Sequence, residues 1–299
     1  MLVKPDCIPC ILKMSIDLLR RLPISETEFN DLFVRILDIP ELRGRRRNKT
    51  SPEIIERIML LMMEKCGPDP FASEKARMNE MAEAMMPAME ERIAGSAEPL
   101  NLAFRIAMLG NAIDFMMSDK LSEIETLVID RLETPVSSTA YTRLLEKLKN
   151  SRTLVYLTDN AGEIVFDRLL METLKVRYPD LDLYCIVRKM PALNDATKAE
   201  ALSVGLDGQS KLFDNGIDGP LPGTLLHRCS DTVKGLLERA DLIISKGGGN
   251  FDTLSEDLKT LNTDVTFMLL SKCHPYREFF DTDLYQPVLY NAYNNNPQQ

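Results

Sequence analysis

The sequence predicts an α/β protein, a three-layer α/β/α fold with a mostly parallel central sheet, preceded by an all-helical N-terminal region. Two observations predict it. Residues 1–148 are rich in Met, Leu and Glu, and their apolar positions recur at helical spacing. Residues 149–299 change to short β-rich runs that alternate with helical stretches, the pattern of parallel strands joined by crossover helices.

In the first part, Ile11, Met14, Leu18 and Leu22 form one stripe, Ile54, Ile58, Leu61 and Met62 a second, and Met81, Met85, Met89 and Ile93 a third. The Met stripes read as core packing rather than as an adhesive surface. Ser51 followed by Pro52 is a helix start, Ser as the cap and Pro at the first helical position. In the second part, strands are expected at 152–158, 183–188, 240–245 and 264–270. Helices are expected at about 162–177 and 196–204 and from about 250. The Gly- and Pro-rich stretch 205–223 reads as a loop with room for one short strand, and the Asn/Gln-rich tail 291–299 as frayed.

Composition excludes several classes. The net charge is −9 and the pI near 5.0, which argues against a nucleic-acid partner. The basic run at 43–49 reads as a solvated loop. The longest strongly apolar run, 58–63, is far short of the ~20 residues a bilayer span needs, so no membrane association is expected. The 6 cysteines are scattered and no secretion signal precedes them, so reduced thiols in a cytoplasm are expected. With 2 histidines a His-based metal cage is excluded. No G-x-S-x-G elbow occurs. Asp180-Leu181-Asp182 lies at the wrong end of its strand for a site. Cys7-Ile8-Pro9-Cys10 has no second pair to complete a zinc site and reads as two thiols on a helix start.

In open α/β sheets, sites form beyond the carboxyl ends of the strands. The first strand is followed by Asp159, Asn160 and Glu163, the second by Arg188, Asn194 and Asp195, the third by Lys246, Gly247, Gly248, Gly249 and Asn250, the fourth by Lys272. Asp159, Asn160 and Asp195 offer hard oxygen ligands suited to Mg²⁺ or Mn²⁺, with water and a substrate phosphate completing the shell. Each of the three also suits a turn or a helix cap. The glycines let backbone amides approach a phosphate at a helix N-terminus, or form a plain flexible turn. Glu163 and Asp167, four apart on one helix face, read either as support for the site or as a solvated ion-pair face.

At this point the chain resembles a known family. DCIPC at 6–10, Lys75 and Asn79 after DPF at 69–71, GNAID at 110–114, TDNAGEIVFDRLL at 158–170, VRKMPALNDAT at 187–197, ADLIISKGGGNFDTL at 240–254 and LLSKC at 269–273 are similar to the motifs of the DUF89 family, the damage-control phosphatases, in its prokaryotic CxxC-containing branch. The resemblance implies an α/β/α fold and metal-dependent hydrolysis of small phosphorylated metabolites such as sugar phosphates, with Mn²⁺, Co²⁺ or Ni²⁺. It implies metal ligands at Asp159, Asn160 and Asp195, and phosphate-side positions at Lys246, Asn250 and Lys272. Gly248 and Asp252 depart from the family pattern, which has Gln and Glu there, as does the stretch 274–280, where a small apolar strand is usual.

The expected mechanism is attack of metal-activated water on phosphorus. Lys246 and Lys272 balance charge, backbone amides of 247–250 hold phosphate oxygens, Arg188 clamps the phosphate or the sugar, and Asn111 and Asp114 touch the organic part. Two rivals remain: an S-adenosylmethionine-dependent carboxyl methyltransferase, and a non-catalytic phosphometabolite-binding protein.

Overall fold

Short capping signals set the helix starts of the first part. The computed structural model describes residues 1–45, 48–113, 132 and 137–293. Helix α1 (Cys7–Arg21) leads to α2 (Glu26–Leu37), which opens on a capping box between Ser25 and Glu28. In α3 (Ser51–Cys66) the cap is Thr50 rather than Ser51. Glu53 stands three residues after Thr50, and its carboxylate accepts the Thr50 amide at 2.8 Å, closing a box that Ser51 could not close. Leu19, Leu32, Ile36, Ile54, Ile58 and Met62 fill a small core among these three helices. Helices α4 (Ala72–Ala94), α5 (Pro99–Ile113) and α6 (Ser138–Lys149) belong to a different core, shared with the sheet.

The sheet has six strands: β1 (Thr153–Leu157), β2 (Asp182–Val187), β3 (Lys211–Asp214), β4 (Leu242–Lys246), β5 (Val265–Leu270) and β6 (Pro287–Ala292), in spatial order β3-β2-β1-β4-β5-β6. The first five run parallel and β6 is antiparallel to β5. Period-two alternation sorts the side chains between two helical layers. Leu154, Tyr156, Leu242 and Ile244 face α4, α5, α6 and α7 (Glu163–Arg177). Val155, Leu157, Ile243 and Phe267 face α9 (Asp231–Arg239) and α10 (Gly248–Leu261). A short helix, α8 (Lys198–Ser203), precedes β3, and α11 (His274–Phe280) follows β5.

Two elements were not expected. Residues 287–292 form β6, because Tyr290 pairs opposite Phe267 and Val288 opposite Leu269 on an otherwise open sheet edge. Residues 274–280 form α11, with Pro275 in its first turn. Residues 294–299 of the expected frayed tail lie outside the described residues. Among the described residues no helix is long and apolar enough to cross a membrane.

The chain moves outward from β1 to β2 and β3 on one side, then returns to β4 on the other. That reversal opens a crevice beyond the carboxyl ends of β1 and β4, the place where doubly wound sheets bind ligands.

Candidate active site at the sheet switch point

Backbone bonds bring the loops after β1 and β2 together. Asn160 and Asp195 form an isolated antiparallel bridge. The Ala161 amide donates to Asn194 O at 2.8 Å and the Ala196 amide to Asp159 O at 2.8 Å. Two loop tips from adjacent parallel strands are thereby zipped to one another, which sets Asp159, Asn160 and Asp195 side by side. Gly162, at φ +76°, turns the chain into α7, and its amide donates to Asn79 Oδ1 of α4 at 2.6 Å.

Arg188 lies between the two carboxylates. Its Nε donates to Asp195 Oδ2 at 2.6 Å, and its Nη2 is 3.7 Å from Asp159 Oδ1. Nη1 donates to Asn250 Oδ1 at 2.9 Å and to Thr224 Oγ1 at 3.3 Å. Arg188 therefore braces the acidic pair from behind and does not line the cavity, contrary to the expected phosphate or sugar clamp. Asn250 is likewise occupied. Its Nδ2 donates to Thr158 O at 2.9 Å and Lys246 O at 2.8 Å, so its side chain ties the ends of β1 and β4 together instead of meeting phosphate.

Burial pushes the Asp159 carboxyl well above its ordinary range, and the charges of Asp195 and Glu163 push it further, against Arg188 and Lys272. The Asn160 amide nitrogen is held by Asp159 Oδ2 at 3.0 Å and Glu163 Oε2 at 3.3 Å, so its amide oxygen is turned away from both. Among the described residues no group of three or more His, Cys, Asp or Glu side chains could hold an ion by itself. A cation here would draw on the Asn160 oxygen together with the two carboxylates, an all-oxygen set that fits a hard or borderline divalent ion.

Lys246 is not on this rim. It shares the parity of Leu242 and Ile244 in β4 and so points into the layer of α5 and α7, where it is fully buried. Its Nζ is 2.6 Å from Glu163 Oε1, 2.6 Å from Asp167 Oδ1 and 2.9 Å from Ala107 O. Tyr156 Oη donates to the same Asp167 oxygen at 2.6 Å. Burial alone would depress the Lys246 ammonium, but the two carboxylates outweigh it and hold its pKa above the ordinary range. Of the two readings of Glu163 and Asp167, the solvated ion-pair face does not hold: both are buried in one network with Lys246, which through Glu163 reaches Asn160.

The glycine turn is built by close approach. Gly247 has φ +79°, and a Cβ there would lie 1.9 Å from Asp159 Oδ2. A Cβ at Gly249 would lie 2.0 Å from Pro222 O, and one at Gly248 2.6 Å from Tyr276 Oη. Two of the three departures from the family pattern, Gly248 and the stretch 274–280, therefore meet, Tyr276 filling the space a side chain at 248 would need. The Gly247 amide donates to Met268 O at 3.0 Å, so it is spent on the sheet. Gly248 and Gly249 open α10 and line a cavity of about 280 Å³ with Asp159, Asn160, Asn194, Asp195 and Lys272. Asn111 lies in the last turn of α5 with its side chain outside the described residues, and Asp114 lies wholly outside them.

Asp252 lies on the same cavity, its Oδ1 3.0 Å from Tyr276 Oη. Burial, aided by Glu256 and opposed by the Met1 ammonium and Tyr276, pushes its carboxyl up to about 6. Its folded pKa is raised, so its contribution to stability is greatest below the unfolded range and is lost as pH rises through about 6. Asp252→Asn should therefore stabilise the fold by about 2–3 kcal/mol at pH 8 and by nothing below about pH 4. Urea unfolding at pH 4, 6 and 8 checks this; an equal gain at every pH would exclude the charge as the cause.

Sequence reasoning missed the far wall. Cys7 and Cys10 on the first turn of α1, and Cys273 after β5, line the cavity. It also missed Thr224, whose Oγ1 donates to Asn250 Oδ1 at 2.8 Å. The spacing of Cys7 and Cys10 was visible, but nothing local says that α1 sits over the sheet's crevice.

Comparison with known proteins bears on this arrangement. Residues 3–287 match the family described as Damage-control phosphatase ARMT1-like domain. The chain is 30% identical over 293 residues to an uncharacterized protein of Methanocaldococcus jannaschii, covering 96% of this chain and 94% of that one. It is 36% identical over 212 residues to a protein of Archaeoglobus fulgidus named damage-control phosphatase, covering 69% of this chain and 70% of that one. The crystal structure of a DUF89 family protein from Pyrococcus horikoshii superimposes with a TM-score of 0.83 at 24% identity, covering 97% of this chain and 98% of that one, a likeness of fold. The chain belongs to the damage-control phosphatase ARMT1-like family, the DUF89 proteins.

Proposed function

We propose that this protein is a metal-dependent phosphatase that hydrolyses phosphate monoesters of small metabolites. The observation that carries the proposal is the interlocking of Asp159, Asn160 and Asp195 at the switch point of the sheet, in one cavity with Lys272 and the first turn of α10. Relatives named damage-control phosphatase support it.

Asp159, Asn160 and Asp195 would hold a divalent cation, Mn²⁺, Co²⁺, Ni²⁺ or Mg²⁺. When bound, such an ion offsets phosphoryl charge and acidifies water. The chain's own contribution is positioning and electrostatics. Arg188 fixes Asp195 and leans on Asp159, keeping both carboxylates in place. Glu163, held by Lys246, takes the Asn160 amide nitrogen and so directs its oxygen outward. Lys272 and the first-turn amides of Gly248 and Gly249 bring positive potential to the same space, where phosphoryl oxygens would lie. The supported reaction is displacement of the alcohol from phosphorus by water, driven by charge neutralisation and alignment.

After chelation, hydrolysis of p-nitrophenyl phosphate should fall to below about a tenth and return on adding one of the four metals, since the ion supplies the Lewis acidity. Activity indifferent to chelation sinks the metal role. Phosphate binding with no turnover under any of the metals would favour the binding-protein rival. Binding of S-adenosylmethionine in calorimetry would favour the methyltransferase.

A further inference from the structure

The cavity has two unlike ends. At its floor are Asp159, Asn160, Asp195 and Lys272. The same cavity has a wall from α1 and α3. Cys7, Cys10, Ile11 and Met14 follow one another on α1 at the spacing i, i+3, i+4, i+7, so a single helix face looks onto the cavity. Ile55 of α3 and Leu193 of the β2 loop continue that face. Unionised thiols and a thioether behave as apolar groups in such a lining. Polar groups near it are Ser51, the exposed Asp6 and the Met1 ammonium, which donates to Asp252 O and Ser255 Oγ, while Asp252 is engaged by Tyr276 and the Asn194 amide is turned toward Met78 Sδ at 3.9 Å.

Hydroxyls pressed against the Cys7, Cys10, Ile11, Met14 and Ile55 face would lose water and find partners only at its polar neighbours such as Ser51 and Asp6. A hydroxyl left unsatisfied there weakens binding. An apolar group in the same position gains from leaving water. The two effects add, and both act on the alcohol part of the ester.

We infer that this site selects phosphate monoesters whose alcohol presents an apolar face to α1 and α3, in preference to polyol phosphates. The inference rests on the phosphatase reading for its reaction, but the selectivity belongs to the wall. It makes Met14 and Ile55 specificity-determining residues. The cavity of about 280 Å³ suits a compact alcohol, at the small end of small-molecule sites.

The test compares cyclohexylmethyl phosphate with a hexopyranose 6-phosphate on the full chain with Mn²⁺. Both release a primary alcohol from a six-membered ring and differ chiefly in ring hydroxyls. The apolar ester should have the higher kcat/KM, by about 10-fold or more. In the double variant Met14→Gln, Ile55→Asn that ratio should fall at least about fivefold, with the inhibition constant for inorganic phosphate unchanged, because the polar ends of the new side chains meet ring hydroxyls and not phosphate. Equal rates on the two esters in the parent protein, or a variant that slows both alike, overturns the inference. The corresponding non-hydrolysable phosphonates, titrated by calorimetry, separate it from the phosphatase reading. Tighter binding of the cyclohexylmethyl phosphonate without any turnover keeps the wall's selectivity and sinks the reaction. Equal binding of the two, or none, sinks the selectivity.

Discussion

Gly247→Ala should lower phosphatase turnover by about 10²–10³-fold, as expected when a group at the reacting centre is displaced by about an ångström. A methyl group at 247 would lie 1.9 Å from Asp159 Oδ2 and 2.1 Å from its Cγ, so either the carboxylate or the turn must move. The backbone at 247 has φ +79° and ψ 165°, a region almost confined to glycine, which adds about 1–3 kcal/mol of strain. Relief through the chain is blocked, since the 247 amide is held to Met268 O at 3.0 Å and the turn is seated on β5. Gly208→Ala is the control: a Cβ there meets nothing within 4 Å and its φ is ordinary. The measurement is kcat and metal affinity of both variants beside their circular dichroism. Near-normal turnover in Gly247→Ala would mean that the position of Asp159 does not limit the reaction.

Lys246→Met should destabilise the protein by about 3–5 kcal/mol, the loss typical when one partner of a buried ion pair is removed. The substitution keeps most of the volume but leaves Glu163 and Asp167, both essentially inaccessible to water, without their counter-charge. Adding Asp167→Asn should restore part of the loss, because the neutral amide can still accept from Tyr156 and needs no cation. Urea unfolding of the single and double variants measures both effects. A lysine serving as a phosphate ligand would behave differently: its loss would leave the unfolding midpoint in place and raise KM alone. Because Glu163 also holds the Asn160 amide, weaker binding at the proposed metal site should accompany the loss of stability.

The two expected results depend on features of different visibility. Asp159, Asn160 and Asp195 could be picked out because each follows an apolar run, and connectivity rules say that the ends of parallel strands share a rim. Gly247 stood out as a glycine in a strand-to-helix turn, but the Asp159 carboxylate it makes room for did not. Lys246 was misread because strand parity says only that it lies on the same face as Leu242 and Ile244. Which layer that face meets, and whether acids wait there, depends on α5 and α7. Arg188 and Asn250 were named for the right neighbourhood, but their side chains bond to partners up to 92 residues away in the chain.

The amino-acid sequence by itself determined the alternation of strands and helices, the strand ends on which Asp159, Asn160 and Asp195 stand, and the family. These follow from local periodicity, turn chemistry and chain order. Only the tertiary structure decided which charges face the cavity and which are buried as pairs. It also decided that α1 brings Cys7, Cys10 and Met14 over the crevice, and that residues 287–292 complete the sheet. Those outcomes turn on how layers pack against one another, and packing is fixed by contacts between segments distant in sequence, which no local pattern encodes.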